Sequence, residues 1–223
     1  MTLLSQIPKI RPMRFSIVAA FLIVLCACEN GGSSGNSLDV GSVDAEESLD
    51  FDEVSSRDSS LLSASEAVLT LMKERNFEGL SRFIHPELGI RFSPYGHVDT
   101  AAHVRLTRQQ FLQLKEEEKP VLWGNYDGTG KDIQLTFEEY FEKFVYDVDF
   151  LNPEQTSVNE ILGQGNTLHN LETVYPGADF TESYFSGFEE KYDGMDWRSL
   201  RLVFQSYEGR PYLVGIVHDQ WTI

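Results

Sequence analysis

The chain has 223 residues, with 18 Lys and Arg against 35 Asp and Glu and a formal net charge of −17. Nucleic-acid binding relies on Lys and Arg to neutralise phosphates, so a body this acidic argues against DNA or RNA as a partner. Its two cysteines, Cys26 and Cys28, both lie near the N-terminus. The rest of the chain therefore lacks disulfides, thiol nucleophiles and thiolate metal ligands, and must be held together by its core.

Residues 1–27 hold Lys9, Arg11 and Arg14, no acidic residue, and an apolar run from Phe15 to Leu25. Basic region, apolar region and small residue before a cut is the order of a secretory signal. The apolar run is well short of the roughly 20 residues a spanning helix needs. Met13 is an alternative start, giving a leader that begins Met13-Arg14-Phe15. Leu25-Cys26-Ala27-Cys28 resembles the lipobox of bacterial lipoproteins, Cys26 being the one departure from the common pattern. The resemblance implies cleavage after Ala27, a diacylglyceryl group on the Cys28 thiol, and a partner in membrane lipid. Two acyl chains suffice for stable anchoring. Glu29 follows where some bacteria use Asp to retain a lipoprotein in the inner membrane.

Losing residues 1–27 removes three basic and no acidic side chains, which takes the formal charge from −17 to −20. Residues 28–61 are acidic and contain Gly and Ser; from Glu29 to Leu62 the only base is Arg57. Such a segment cannot offset its ordering entropy, so it is expected to be a disordered tether with a reach of roughly 30 Å. Residues 62–223 are then expected to form a single domain.

In that domain Ser63-Ala64-Ser65-Glu66 reads as a capping box opening a helix over 63–75. Phe77, Leu80, Phe83 and Ile84 give a second short helix, ended by Pro86. Gly89–Ser93 reads as a strand. Thr107-Arg108-Gln109-Gln110 and Thr136-Phe137-Glu138-Glu139 are two further capping boxes, each opening a helix. Val121–Tyr126 and Ile133–Leu135 flank Asp127-Gly128-Thr129-Gly130 as a hairpin. Residues 147–169 carry no clear pattern. Leu171–Tyr175, Phe180–Phe185, Leu200–Tyr207 and Tyr212–Trp221 read as strands, the last two joined by a tight turn at Glu208-Gly209. A two-residue loop there pairs Phe204 with Leu213, Leu202 with Gly215, Leu200 with Val217 and Arg198 with Asp219.

Helices followed by an antiparallel sheet give an α+β class. The element order resembles the cone-shaped, cystatin-like fold of nuclear transport factor and ketosteroid isomerase, in which N-terminal helices close over a curved sheet. Phe92-Ser93-Pro94-Tyr95, Gly165-Asn166-Thr167, Gly194-Met195-Asp196-Trp197 and the ending His218-Asp219-Gln220-Trp221-Thr222 resemble a group of bacterial lipoproteins that brings no established activity with it.

His218 and Asp219 are suited to acid–base work, but neighbours on a strand point to opposite faces. The register favours Arg198 with Asp219 instead, as a structural ion pair or a pocket-lining pair. A ketosteroid-isomerase-like reading would make Asp219 the base, with Tyr184 or Tyr212 as a donor. The five histidines, His85, His97, His103, His169 and His218, show no metal-site spacing. Asp127–Asp132 lacks the ligand pattern of a calcium loop. Neither a Gly-x-Ser-x-Gly elbow nor a P-loop occurs. Tyr95, Trp123, Tyr126, Trp197 and Trp221 can line a ligand pocket or fill a core. The expectation is an exported, membrane-anchored domain that binds a small molecule or an envelope protein, without metal, cofactor or catalysis. The alternatives are an envelope isomerase or hydrolase using Asp219 with Arg198 or His218, and a structural protein of envelope assembly.

Overall fold

The computed structural model describes residues 51–166 and 168–222, with side chains from residue 55 onward. The leader, Ala27, Cys28 and residues 28–50 of the expected tether lie outside the described residues. Helix α1 runs from Phe51 to Lys73, so residues 51–61, read from composition as tether, are helical. Composition averaged over the whole acidic segment hid a local stripe: Leu61, Val68, Leu69 and Met72 are all buried, at the spacing of one helix face. Ser63 is consequently interior rather than a cap, and its hydroxyl donates back to the Ser59 carbonyl at 2.9 Å.

After α1 come α2 (Phe77–Ser81), β1 (Ile90–Ser93), β2 (Arg105–Leu106), α3 (Arg108–Glu117), β3 (Val121–Asn125), β4 (Asp132–Leu135) and α4 (Phe137–Phe144). The Thr107 and Thr136 capping boxes both form. Each threonine hydroxyl accepts from the backbone N–H three residues on, and the Gln110 or Glu139 side chain accepts in return from the cap N–H. The chain continues through β5 (Gln155–Val158), a helical turn α5 (Leu171–Val174), β6 (Asp179–Phe185), β7 (Arg198–Tyr207) and β8 (Arg210–Gln220). Leu171–Tyr175 is thus not a strand. Asn170 clamps the backbone of Val98 with two hydrogen bonds, of 2.8 and 3.0 Å, Leu171 is buried, and Pro176 stops the turn.

Six strands form one sheet in the order β2-β1-β8-β7-β6-β5, and β3 and β4 form a separate hairpin. Only the β1–β8 pair of the large sheet is parallel, so the α+β class holds with a curved, mainly antiparallel sheet. Glu208 and Gly209 have φ of 50° and 74°, the left-handed pair that a two-residue hairpin turn requires and that glycine adopts freely. From this turn the expected register holds as far as Phe204 opposite Leu213. It then breaks, because Val203 faces Gly215 rather than Val214. Val214 is an extra residue in β8, a bulge that moves every later residue by one.

The inner face of the sheet, bearing Leu200, Leu202, Phe204, Leu213 and Ile216, packs against the helices and the β3–β4 hairpin in the main core. Phe92, Phe111, Trp123, Phe137, Tyr140, Phe141 and Phe144 fill this space and are all buried. Trp123 stacks on Tyr140 at 4.0 Å between ring centroids. The outer face is covered too: Val203, Val214 and Val217 pack with Val98 and Leu171 in a second, smaller cluster.

Two histidines act as acceptors inside this framework. His103 Nδ1 accepts from the Asp99 N–H at 3.1 Å, and His85 Nδ1 accepts from the Leu88 N–H at 3.0 Å. Both need an unprotonated Nδ1, and burial is the main cause lowering both, His103 to about 4. The unfolded chain takes up these protons near pH 6.5 and the folded chain does not until lower pH. Their contribution is therefore intact above about pH 6.5 and is lost as pH falls toward 4. His103 is partly exposed, so solvent screening limits its share to about 1–2 kcal/mol. Urea midpoints measured from pH 7 to pH 4 are expected to fall, and His103→Asn, which keeps an acceptor without a titrating ring, is expected to flatten part of that slope.

Candidate functional site

The bulge decides where the candidate site residues lie. Beyond Val214, His218 turns to the inner face opposite Leu200, and Asp219 turns to the outer face opposite Ser199. Arg198 faces Gln220. The expected Arg198–Asp219 pair does not exist, because one additional residue separates the two side chains onto opposite faces of the sheet.

On the inner side Arg198 and His218 converge instead on Asp147, the third residue after α4. Arg198 Nε donates to Asp147 Oδ2 at 2.8 Å, and His218 Nε2 lies 3.1 Å from Asp147 Oδ1. The His218 ring is fully buried between Phe144 and Phe150. Its Nδ1 has no hydrogen-bond partner. Burial pushes the Asp147 carboxyl up, but the hydrogen bond and charge of His218, with those of Arg198, outweigh it and leave the group below its ordinary value. Asp147 also borders an open groove of about 570 Å³ with Glu139, Glu142, Lys143 and Arg198. The arrangement has the elements of an acid–base cluster, yet both Asp147 oxygens are engaged and His218 exposes no surface. A substrate in the groove meets a paired carboxylate and the flank of an arginine.

On the outer side lies a cluster that sequence reasoning missed. Arg201 is fully buried between two carboxylates, with Nη1 3.0 Å from Asp219 Oδ2 and Nη2 3.1 Å from Glu182 Oε1. Arg201 Nη2 also donates to the Gly163 carbonyl. Glu182 accepts from the N–H groups of Leu162 at 2.7 Å and Gly163 at 3.0 Å, and from the Ser199 hydroxyl. Burial is the main cause holding the Asp219 carboxyl above its ordinary range, only partly opposed by Arg201. Asp219 thus anchors loops to the sheet. It is walled in by Gly96, where a Cβ would come within 2.4 Å of its Oδ2.

The aromatic candidates separate as well. Trp123 is wholly buried, with Nε1 donating to the Leu135 carbonyl at 2.9 Å, so it lines no ligand site. Trp197 is also buried, against Gly163 and Gly165. Tyr95 and Tyr126 both pack on Phe144, at 5.8 and 6.1 Å. Lys143 Nζ sits 4.6 Å over the Tyr126 ring and donates to its hydroxyl. Trp221 is 40 % exposed, next to Thr222, whose hydroxyl donates to Asp127 at 2.6 Å. Tyr95, Tyr126 and Trp221 therefore lie around the Asp127 turn at the surface. Tyr184, a candidate oxyanion donor, lies with Glu182 on the outer face, and Tyr212 packs against His85 and Tyr207. Neither reaches Asp219.

Among the described residues no three His, Cys, Asp or Glu side chains converge in a metal-site geometry, and no helix is long and apolar enough to cross a membrane. No family model matches this sequence, and no curated protein does. A solved structure of a designed, multiply substituted chain of the nuclear-transport-factor-2 type is similar at 13% identity, covering 75% of this chain and 98% of its own, with a TM-score of 0.28. At that score the likeness carries no weight, and the α+β class rests on the strands and helices themselves.

Proposed function

We propose that this chain is a bacterial lipoprotein, exported and anchored through Cys28, whose folded part binds a partner or ligand without catalysing a reaction. The observation that carries the reading is Leu25-Cys26-Ala27-Cys28 placed directly after a basic and apolar leader. A folded part without cysteine suits it, since that part depends on no disulfide after export.

The non-catalytic half is supported by the use made of each acid–base candidate. Asp219 is buried in an ion cluster, His218 is sealed behind Asp147, and Asp147 spends both oxygens on internal partners. With the aromatic core filled, the half-buried Tyr95 and Tyr126 and the exposed Trp221 form one aromatic region that a partner can reach. Aromatic side chains that present an apolar body and a polar tip are common at such contacts.

Expression in a bacterium fed radiolabelled palmitate is expected to label the chain, and Cys28→Ala is expected to abolish the label and leave an uncleaved precursor. Equal labelling of both forms, or none of the parent, overturns the anchor. Turnover of an ester or an enolisable ketone that disappears in Asp147→Asn with unchanged thermal stability overturns the non-catalytic half.

A further inference from the structure

The outer face of the large sheet carries a second charged feature, on β1 and β2 at one edge of the sheet. Arg91 on β1 and Arg105 on β2 are direct cross-strand partners, so their side chains leave the same face of the sheet. Like charges in that relation are destabilising unless something compensates them. In a chain with 35 acidic residues the ordinary compensation is a carboxylate. Among the described residues, however, neither guanidinium has an ion-pair partner within 4.0 Å.

Both arginines are nevertheless held in place. Arg91 Nη1 donates to the Thr100 and His103 carbonyls at 3.0 and 2.8 Å, and Arg105 Nε donates to the Leu88 carbonyl. Those bonds use Nη1 of Arg91 and Nε of Arg105, leaving both terminal nitrogens of Arg105 available and the rest of the Arg91 guanidinium facing Tyr175. Between the two strands and α5 lies a cavity of about 160 Å³, lined by Arg91, Arg105, Thr100 and Tyr175 with walls of Leu88, Val174 and Val214. The Tyr175 hydroxyl is buried and makes no hydrogen bond of good geometry, with the Arg91 guanidinium beside it, close enough to favour its oxygen. It lies over Gly215, the β8 partner of Arg91, where a Cβ would come within 2.8 Å of the hydroxyl oxygen. The missing side chain at Gly215 therefore makes room for that hydroxyl. Burial raises Tyr175 to about 12, so it stays protonated and can donate.

The geometry points to a binding site for a small oxyanion group, a carboxylate or a phosphoryl, held by Arg91, Arg105 and the Tyr175 hydroxyl. Two guanidinium groups, which carry donors alone, and a protonated hydroxyl free to turn its O–H toward the cavity supply the chemistry that recognises an oxyanion. The apolar walls lower the local dielectric and strengthen the attraction. The cavity is well below the roughly 300–1,000 Å³ of sites for drug-sized ligands, so only the terminal anionic group of a larger molecule is enclosed. The site does not depend on the lipid anchor.

The test is a titration of the purified full-length chain with inorganic phosphate and, separately, with acetate, at constant ionic strength made up with sodium chloride, read by thermal shift and calorimetry. Saturable binding of at least one of the two, beyond the sodium chloride control, is expected. Response to phosphate alone assigns a phosphoryl group, and response to acetate assigns a carboxylate. Arg105→Gln is expected to weaken binding about tenfold or more, the loss of a charge-assisted donor. Tyr175→Phe, which keeps the ring over Gly215, is expected to weaken it by a smaller factor with folding preserved. No saturable response to either anion overturns the site. So does binding that stays within about twofold of the parent in both variants.

Discussion

Arg201→Met is expected to be among the most damaging single substitutions in the folded part. The parent side chain is fully buried and pairs with Glu182 and Asp219 while bonding to the Gly163 carbonyl. Methionine fills much of the same volume but leaves two buried carboxylates facing each other without a cation. Breaking a buried pair by removing one partner costs about 3–5 kcal/mol, a large fraction of the roughly 5–15 kcal/mol that holds an ordinary domain together. The expected result is a chain that is mostly unfolded or strongly shifted to low urea midpoint. The triple variant Arg201→Met, Glu182→Gln, Asp219→Asn is expected to recover part of that loss, because it removes the uncompensated charges as well. A triple variant no more stable than Arg201→Met alone, measured by urea unfolding, would show that packing rather than charge dominates here.

Trp123→Ala is expected to cost about 3–5 kcal/mol, the usual range for emptying a buried tryptophan site. The indole is wholly buried, stacked on Tyr140 and met edge-on by Phe92 at 5.6 Å. Its N–H also satisfies the Leu135 carbonyl, so the substitution removes both packing and a hydrogen bond at the β3–β4 hairpin. Guanidinium unfolding should show a lower midpoint with an unchanged slope, the sign of lost stability without a change in the unfolded state. Had Trp123 lined a ligand pocket, the substitution would have weakened binding and spared the midpoint.

What the sequence made legible was mostly short-range. The Thr107 and Thr136 capping boxes specify helix starts within four residues, and Glu208-Gly209 specifies a hairpin turn and the four pairs nearest to it. The bulge was not legible, because Leu213-Val214-Gly215-Ile216 has no polar residue to mark which face each position takes. An unbroken alternation therefore carried the wrong parity to Asp219 and His218. Asp147 was not legible for another reason: it lies 71 residues from His218 and 51 from Arg198 in the chain, in a stretch without periodicity. Arg201 was passed over because a charge alternating with Leu200 and Leu202 reads as a solvent-facing position. Here the outer face is covered by residues from 96–103 and 161–178, and Glu182 and Asp219 on the flanking strands were the available sign of a buried ion cluster.

Val214 gives strand β8 two phases of alternation, one on each side of the extra residue. A one-residue deletion between the turn and Val214 can be absorbed by loss of the bulge, which leaves the pairing from Gly215 onward unchanged and exchanges only the faces of apolar residues. The same change between Gly215 and Asp219 has no such slack. It would drive a carboxylate into the aromatic core and lift an imidazole out of it in a single step. Tolerance to length variation in this strand is therefore lopsided, and the phase boundary at Val214 is where it changes.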